Sequence, residues 1–85
     1  MSSGRMKARI YVMPKESVLD PQGQAIAHAL GNMGFADIKE VRQGKLFEIE
    51  IDQKNPEEAK STLKQICEKL LANTVIETYR VDIGE

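Results

Sequence analysis

The residues best suited to chemistry in this 85-residue chain are one histidine, one cysteine and a short row of acids. His28 lies on a predicted helix, and no second histidine or cysteine stands at the spacing that a metal ion requires. Cys67 follows the helical period of the neighbouring leucines, which favours buried packing over a reactive, exposed thiol. Glu48, Glu50 and Asp52 alternate along a predicted strand, where acids could chelate a cation but usually form a solvated face. We predict no catalytic, metal-binding or cofactor-binding residue.

The composition argues against several classes of function. The formal net charge is −1, whereas a nucleic-acid-binding domain carries a clear excess of Lys and Arg. Two Tyr and two Phe are too few for the stacking rings of an RNA-binding sheet. The apolar runs are too short for a membrane span, and a single cysteine suits the reducing cytoplasm. We therefore expect a cytoplasmic location without a nucleic-acid or membrane partner.

The length is sufficient for one small domain. Residues 1–5 are small, polar and aperiodic, and they are predicted to be a disordered leader or expression remnant that precedes a single domain over 6–85. A domain this short buries only about 60–65% of the surface of its unfolded chain. Chains of this size therefore often gain stability by oligomerising.

Two helices are predicted from their end signals. Asp20 suits the N-cap of the first helix, and Gly34 suits a left-handed C-terminal cap, which places this helix at 21–33. Asn55 caps the second helix, and Asn73 can stop it. The first helix carries an apolar stripe at helical spacing: Ala25, Ile26, Ala29, Leu30 and Met33.

Three segments, 7–15, 38–52 and 75–83, have the composition or alternation of strands. In the central segment one face is charged and the other is apolar, and we assign the apolar face to the sheet core and a dimer contact: Val41, Phe47, Ile49 and Ile51. Gly44 interrupts the alternation. The sequence does not decide whether Gly44 forms a hairpin turn or bends one long strand.

The predicted fold class is α+β, with the order β-α-β-α-β, a long bent central strand, and two helices on one face of an antiparallel sheet. A hairpin at Gly44 would give a ferredoxin-like βαββαβ domain. Without the hairpin, three strands leave exposed edges that invite pairing with a second copy. In both cases we expect a dimer that completes the sheet.

Two loops have unusual content. Val18 and Leu19 are apolar residues in a polar loop, where they could form a hydrophobic staple for the first helix. Arg42 and Lys45 flank Gly44, either in a solvated turn or on a surface that docks a partner or an anionic ligand.

These loops carry a resemblance to the PurS proteins. Residues 15–23 resemble the sequence that joins the first strand to the first helix in that family. Residues 41–50 are similar to the central strand of the family, and residues 70–77 are similar to the segment that leads into its last strand. The family more often has Pro where this chain has Thr74. The resemblance extends from about Met6 to Ile83, in the same order and spacing.

The resemblance implies a non-catalytic subunit of phosphoribosylformylglycinamidine synthase, a carbon–nitrogen ligase of purine biosynthesis. A separate glutaminase subunit would use a cysteine to release ammonia from glutamine. A separate synthetase subunit would use ATP and magnesium to convert formylglycinamide ribonucleotide to the amidine. PurS dimers, alone or as a dimer of dimers, would hold these two subunits together. Our own hypothesis is that Lys15, Arg42 and Lys45 contribute to docking.

An alternative interpretation is a regulatory domain of the ACT-like kind, which senses a small molecule and shares the βαββαβ order. Such a domain normally binds an amino acid in a glycine-lined turn after its first strand. Here that turn holds Lys15, Glu16 and Ser17, with no glycine before Gly23. A third interpretation is an independent metabolic enzyme, but the chain lacks the constellation of reactive groups that an active site would need.

Overall fold

The computed structural model describes residues 5–84, which form an α+β domain. Its elements, in chain order, are β1 (Arg5–Pro14), α1 (Pro21–Asn32), β2 (Lys45–Asp52), α2 (Pro56–Ile66), a π-helical turn (Cys67–Leu71) and β3 (Glu77–Gly84). Arg5 lies inside β1, so the predicted boundary after residue 5 is one residue too late. The remainder of the predicted leader, residues 1–4, is outside the described residues.

The three strands form one antiparallel sheet in the order β2-β1-β3. Ala8 of the central strand pairs with Ile49 on one side and with Ile83 on the other. This register places Phe47, Ile49 and Ile51 on the inner face with the core, as their alternation predicted. Three outer pairs of β1 and β2 join a basic with an acidic residue, including Arg9 with Glu48, and a fourth joins Tyr11 with Leu46.

The core lies between β1 and α2. Ile10, Val12, Leu63 and Cys67 are almost fully buried, since α2 places an apolar residue over β1 once every turn. Leu70, three residues after Cys67 and therefore expected on the same helical face, is instead 79% exposed. The π-helical turn is wider than an α-helical turn, so it rotates the residues that follow Cys67 away from the α-helical phase.

The helix ends follow the local signals. The side chain of Asp20 accepts a hydrogen bond from the Gly23 amide, and the side chain of Asn55 accepts one from the Glu57 amide. Gly34 has φ = 99°, and the amide of Phe35 donates to the carbonyl of Leu30 at 2.9 Å, which closes α1 as a Schellman motif.

The central segment pairs only from Lys45 onward, so the predicted strand over 38–52 is shortened at its start. Residues 38–44 have no regular secondary structure and belong to no strand pair of the described sheet, which rules out a hairpin at Gly44. A side chain at residue 44 would collide with the Val12 carbonyl and the Met13 sulfur. Gly44 is therefore required by close backbone approach where the chain enters β2.

The first helix departs from the expectation that both helices cover one face of the sheet. No residue of α1 belongs to the buried core cluster, and Met33 is 68% exposed. The molecule is 50 Å long, while a ten-residue strand spans only about 34 Å. Its radius of gyration is 16.6 Å, against about 12 Å for a compact chain of this length. Helix α1 therefore extends beyond the end of the sheet.

Candidate docking site

The three cations predicted to dock a partner lie near one another, at the end of β1. The guanidinium of Arg42 donates a hydrogen bond to the carbonyl of Pro14. The ammonium of Lys45 lies 3.7 Å from a carboxylate oxygen of Glu77. Lys15 follows Pro14 directly, and its backbone amide donates to the carbonyl of Ile76 at 2.9 Å. We call this end of the molecule the docking end.

The three cations differ in the exposure of their side chains and in the ion pairs that they form within the protein. Arg42 has only 24% of its side chain exposed and lies 4.0 Å from a carboxylate oxygen of Glu40. Lys45 has 59% of its side chain exposed, and its partner Glu77 is mostly covered. The ammonium of Lys15 forms no ion pair with residues 5–84. Arg42 and Lys45 therefore help to hold the docking end together, whereas Lys15 is half-buried and its charge is not used by an ion pair within residues 5–84.

Asp20 joins two segments beside these cations. One oxygen of its carboxylate accepts from the Gly23 amide at 3.0 Å, and the other accepts from the Gln43 amide at 2.8 Å. The bond from Gln43, followed by that from Gly23, lowers the pKa of Asp20 from its ordinary value of 3.8. We call this arrangement of Asp20, Gly23 and Gln43 the Asp20 junction. Sequence reasoning predicted Asp20 as the helix cap, which the Gly23 bond confirms, but gave no signal for Gln43.

The Asp20 junction borders a cleft of about 440 Å³ that also includes Val12, Lys45 and Glu77. Both carboxylates of the cleft are occupied: Asp20 by two backbone amides and Glu77 by Lys45 and by the amide of Asn73 at 2.8 Å. Neither acid is positioned as a free general base. The arrangement suits the shaping of a surface rather than the activation of a substrate.

Exposed apolar side chains surround the same end. Leu19 is 67% exposed, Val75 is 78% exposed, and Ile76 is 42% exposed. Val18 is half-buried, so of the two residues predicted as a staple only Val18 is seated against the protein. Apolar groups interspersed with cations are typical of a surface that contacts another protein.

Among the remaining candidates for chemistry, Cys67, Glu48 and Glu50 have structural roles. Cys67 is fully buried, and desolvation, followed by the nearby Glu68 carboxylate, raises the pKa of its thiol above 9.0. Glu48 lies 3.2 Å from Arg9, and Glu50 lies 3.8 Å from Arg5, across the outer face of the sheet. His28 is exposed on α1.

Two other kinds of site are absent from residues 5–84. The His, Cys, Asp and Glu residues in this range form no group of three or more that could hold a metal ion. Neither helix described there has the length and apolar character needed to cross a membrane.

One polar contact near Cys67 was not predicted. The hydroxyl of Tyr79 donates to the Glu68 carboxylate at 2.6 Å, which links β3 to the π-helical turn. This hydrogen bond, with desolvation and the negative charge of Glu68, raises the pKa of Tyr79 to about 12. The contact stabilises the fold and leaves the phenol protonated at neutral pH.

Comparison with known proteins places these features in a family. The family model described as PurS, phosphoribosylformylglycinamidine (FGAM) synthase, matches residues 7–85. The PurS subunit of that synthase from Bacillus subtilis is 49% identical over 79 residues, which are 93% of each chain. The PurS subunit from Mycobacterium leprae is 52% identical over 75 residues, covering 88% of this chain and 91% of the relative.

A solved structure of PurLQS from Thermotoga maritima contains a chain with the same fold. The two chains share 34% identity and a TM-score of 0.86, and the match covers 94% of this chain and 98% of the other. These matches do not favour an ACT-like sensor, whose βαββαβ order also needs a fourth strand that residues 38–44 do not form. Since the family model and the relatives match nearly the whole chain, the protein belongs to the PurS family of phosphoribosylformylglycinamidine synthase subunits.

Proposed function

We propose that this chain is the non-catalytic adaptor of phosphoribosylformylglycinamidine synthase, and that it holds a glutaminase subunit against a synthetase subunit. In this role it supports the ATP- and glutamine-dependent conversion of formylglycinamide ribonucleotide to formylglycinamidine ribonucleotide in purine biosynthesis. ATP and magnesium are used by the synthetase subunit, and the adaptor itself binds neither. The reaction takes place in the cytoplasm, where the free thiol of Cys67 stays reduced.

The observation that carries this proposal is the structural match to a chain of PurLQS from Thermotoga maritima. That match includes 94% of this chain, so the docking end and α1 are both within the shared fold. The exposed apolar residues and the cations at the docking end supply a surface of the composition that a protein partner needs.

An adaptor is useful here because ammonia must pass between two active sites. Free ammonia is lost by diffusion and by protonation to ammonium, which is not a nucleophile. Holding the two subunits in one complex raises the effective concentration of each at the other and keeps water from the transfer.

We propose further that the adaptor is a homodimer. The described sheet has edges at β2 and β3, and exposed strand edges favour pairing with another chain. A two-fold dimer presents two copies of the docking end, so one adaptor could contact both larger subunits at once. The fixed shape of a small dimer would then set the distance between those subunits.

Reconstitution tests the adaptor role. The glutaminase and synthetase subunits from the same source are assayed with ATP, magnesium and formylglycinamide ribonucleotide, with or without this chain. We expect omission of the chain to abolish synthesis from glutamine and to leave synthesis from ammonium salts intact. Equal glutamine-dependent rates with and without the chain would contradict the proposal. Loss of both activities would show instead that the chain is needed for the synthetase chemistry itself.

A further inference from the structure

Two adjacent leucines at the end of the second helical segment have opposite environments. Leu70 is 79% exposed, whereas its neighbour Leu71 packs against the core. An uninterrupted α-helix would give the reverse. At about 100° per residue, it would place Leu70 within roughly 20° of the buried Leu63 and turn Leu71 about 80° away. Leu71 therefore occupies the place that α-helical geometry assigns to Leu70.

The π-helical turn causes this shift. The Ala72 amide donates to the carbonyl of Cys67, five residues earlier, at 3.0 Å, so the turn contains one residue more than an α-helical turn. The extra residue moves Leu70 away from the core and brings Leu71 over it. Single π-helical turns at the end of or within α-helices are rare and often lie at functional sites.

A set of hydrogen bonds around Asn73 fixes the far end of the π-helical turn. The Asn73 carbonyl accepts from the amide of Ile76 at 3.0 Å and from the amide of Glu77 at 2.8 Å. The Asn73 amide donates to the Glu77 carboxylate at 2.8 Å. We call these three residues and their bonds the Asn73 clamp. Because Cys67 is buried at the other end of the turn, the clamp determines the path that the intervening residues must span.

The Asn73 clamp is connected to the docking end. One oxygen of the Glu77 carboxylate accepts from Asn73, and the other lies 3.7 Å from the ammonium of Lys45. The Glu77 side chain is only 17% exposed, so these two contacts take up most of its polar surface. Any event at the docking end that draws Lys45 away acts on the same carboxylate that holds Asn73.

We propose that residues 67–73 form a register switch that the Asn73 clamp controls. While the clamp is closed, the π-helical turn presents Leu70 to solvent. When the clamp opens, the helix continues in the α-helical register and Leu70 replaces Leu71 in the core. The residue that the following loop gains is taken up around the exposed Thr74 and Val75. Because both residues are leucine, either register fills the core position with the same side chain.

The register determines which apolar group is available beside the docking end. An exposed leucine gives a protein partner apolar area to bury, and only the π-helical register supplies it at residue 70. This consequence rests on the proposed function, because it assigns Leu70 to a contact with the glutaminase or synthetase subunit. The switch itself is a property of the isolated chain and is tested on it first.

Alanine substitutions test whether the two leucines replace each other, with urea unfolding measured at one protein concentration. In the wild-type background, Leu70→Ala is expected to change the folding constant by less than about threefold, as an exposed substitution does. In the Leu71→Ala background, where Leu70 fills the core, the same change should lower the constant by at least about tenfold.

The matched control is Val75→Ala, since Val75 is 78% exposed in the adjacent loop. Its effect on the folding constant should be small and equal in both backgrounds. An equally small effect of Leu70→Ala in both backgrounds would overturn the switch, because it would show that the π-helical register is fixed.

Scalar couplings across hydrogen bonds, measured by nuclear magnetic resonance, report the register directly. Wild type should show a coupling between the Ala72 nitrogen and the Cys67 carbonyl carbon. Glu77→Ala removes the acceptor of the Asn73 amide and should replace this coupling with one from the Leu71 nitrogen to the same carbon. Glu77→Gln keeps an acceptor oxygen and should retain the wild-type coupling. An unchanged Ala72 coupling in Glu77→Ala would refute control by the clamp.

Binding to the two larger subunits separates the switch from the proposed function. Leu70→Ala lacks the presented leucine and Leu71→Ala turns it inward, so both should bind one of the subunits about tenfold more weakly than wild type. Wild-type binding by both variants would refute the docking role of Leu70 and leave the result of the leucine substitutions intact. Glutamine-dependent synthesis that proceeds without this chain would refute the adaptor function alone.

Discussion

The carboxylate of Asp20 accepts a hydrogen bond at 2.8 Å from the backbone amide of Gln43, which lies 23 residues further along the chain. The same carboxylate caps α1 through the Gly23 amide. One side chain therefore satisfies a helix terminus and fixes the segment that leads into β2. The direction in which α1 leaves the sheet depends on this residue.

Substitution of Asp20 tests that role. Asp20→Asn keeps one acceptor oxygen and turns an amide donor toward the other backbone N–H, so it retains the cap at the expense of the second bond. Asp20→Ala loses both bonds. We expect the melting temperature to fall in the order wild type, Asp20→Asn, Asp20→Ala, all measured at pH 7 and one protein concentration. Equal melting temperatures for the three proteins would show that the Asp20 junction does not stabilise the fold.

The pH dependence of the stabilisation by Asp20 gives an independent prediction. Because hydrogen bonding lowers its pKa in the folded state, the carboxylate contributes its full stabilisation above the unfolded pKa of about 3.8. That contribution is lost as the pH falls through the lowered folded-state value. The difference in melting temperature between wild type and Asp20→Asn should therefore shrink below pH 3.8. A difference that stays constant from pH 7 to pH 2 would contradict the pKa assignment.

Two glycines of α1 form a matched pair that tests how the start of this helix packs. Gly23→Ala drives a methyl group into the Val41 carbonyl and should destabilise the protein by about 1–3 kcal/mol. Gly31→Ala meets no atom within 4 Å and should stabilise the helix by about 0.5–1 kcal/mol, because alanine has less backbone freedom to lose. Urea unfolding of both variants measures the two changes. Changes of the same sign would show that α1 does not pack at its start as described.

Local features of this chain were predictable because their partners are close in sequence. The caps at Asp20 and Asn55 and the left-handed Gly34 depend on groups within a few residues. The alternation of Phe47 and Ile49 fixed which face of β2 meets the core, since side chains alternate strictly along a strand. The docking role of Lys15, Arg42 and Lys45 stays a prediction, and sequence reasoning did not foresee the internal contacts that Arg42 and Lys45 make.

The direction of α1 was not predictable by the same reasoning. The stripe that includes Ile26 and Met33 shows that one face of the helix has to be covered, but a stripe is the same whether its cover is the same chain or another. The bonds that decide the direction join Asp20 to Gln43 and Arg42 to the Pro14 carbonyl, 28 residues apart. Neither the hydrophobic periodicity nor the capping pattern of the sequence indicates a contact between groups so far apart along the chain.

Tyr79→Phe isolates the hydrogen bond to Glu68 while it keeps the ring. Removal of the hydroxyl should cost about 0.5–1.5 kcal/mol at pH 7. The bond raises the pKa of Tyr79 from 10.0 to about 12, so its contribution is complete below pH 10 and is lost as the pH rises to about 12. Urea unfolding at pH 7, 10 and 12 should show the two proteins converging. Absorbance of the phenolate supplies the control, since Tyr79 should ionise near pH 12.

Substitutions of Lys15 and Arg42 distinguish an effect on partner docking from an effect on the stability of the fold. Arg42→Ala leaves the Pro14 carbonyl without its charged donor and should cost about 1–3 kcal/mol of stability as well as weakening the complex. Lys15→Ala removes a charge without an ion pair to residues 5–84, so its stability should change by less than about 0.5 kcal/mol.

The binding of Lys15→Ala to the glutaminase and synthetase subunits is measured at low and high salt. We expect weaker binding at low salt, a smaller salt dependence than wild type, and recovery in Lys15→Arg, because the contribution is a screened charge at the rim of an interface. Lys60→Ala, an exposed cation on α2, is the matched control and should bind as wild type does. Unchanged binding of Lys15→Ala at low salt would remove Lys15 from the docking surface.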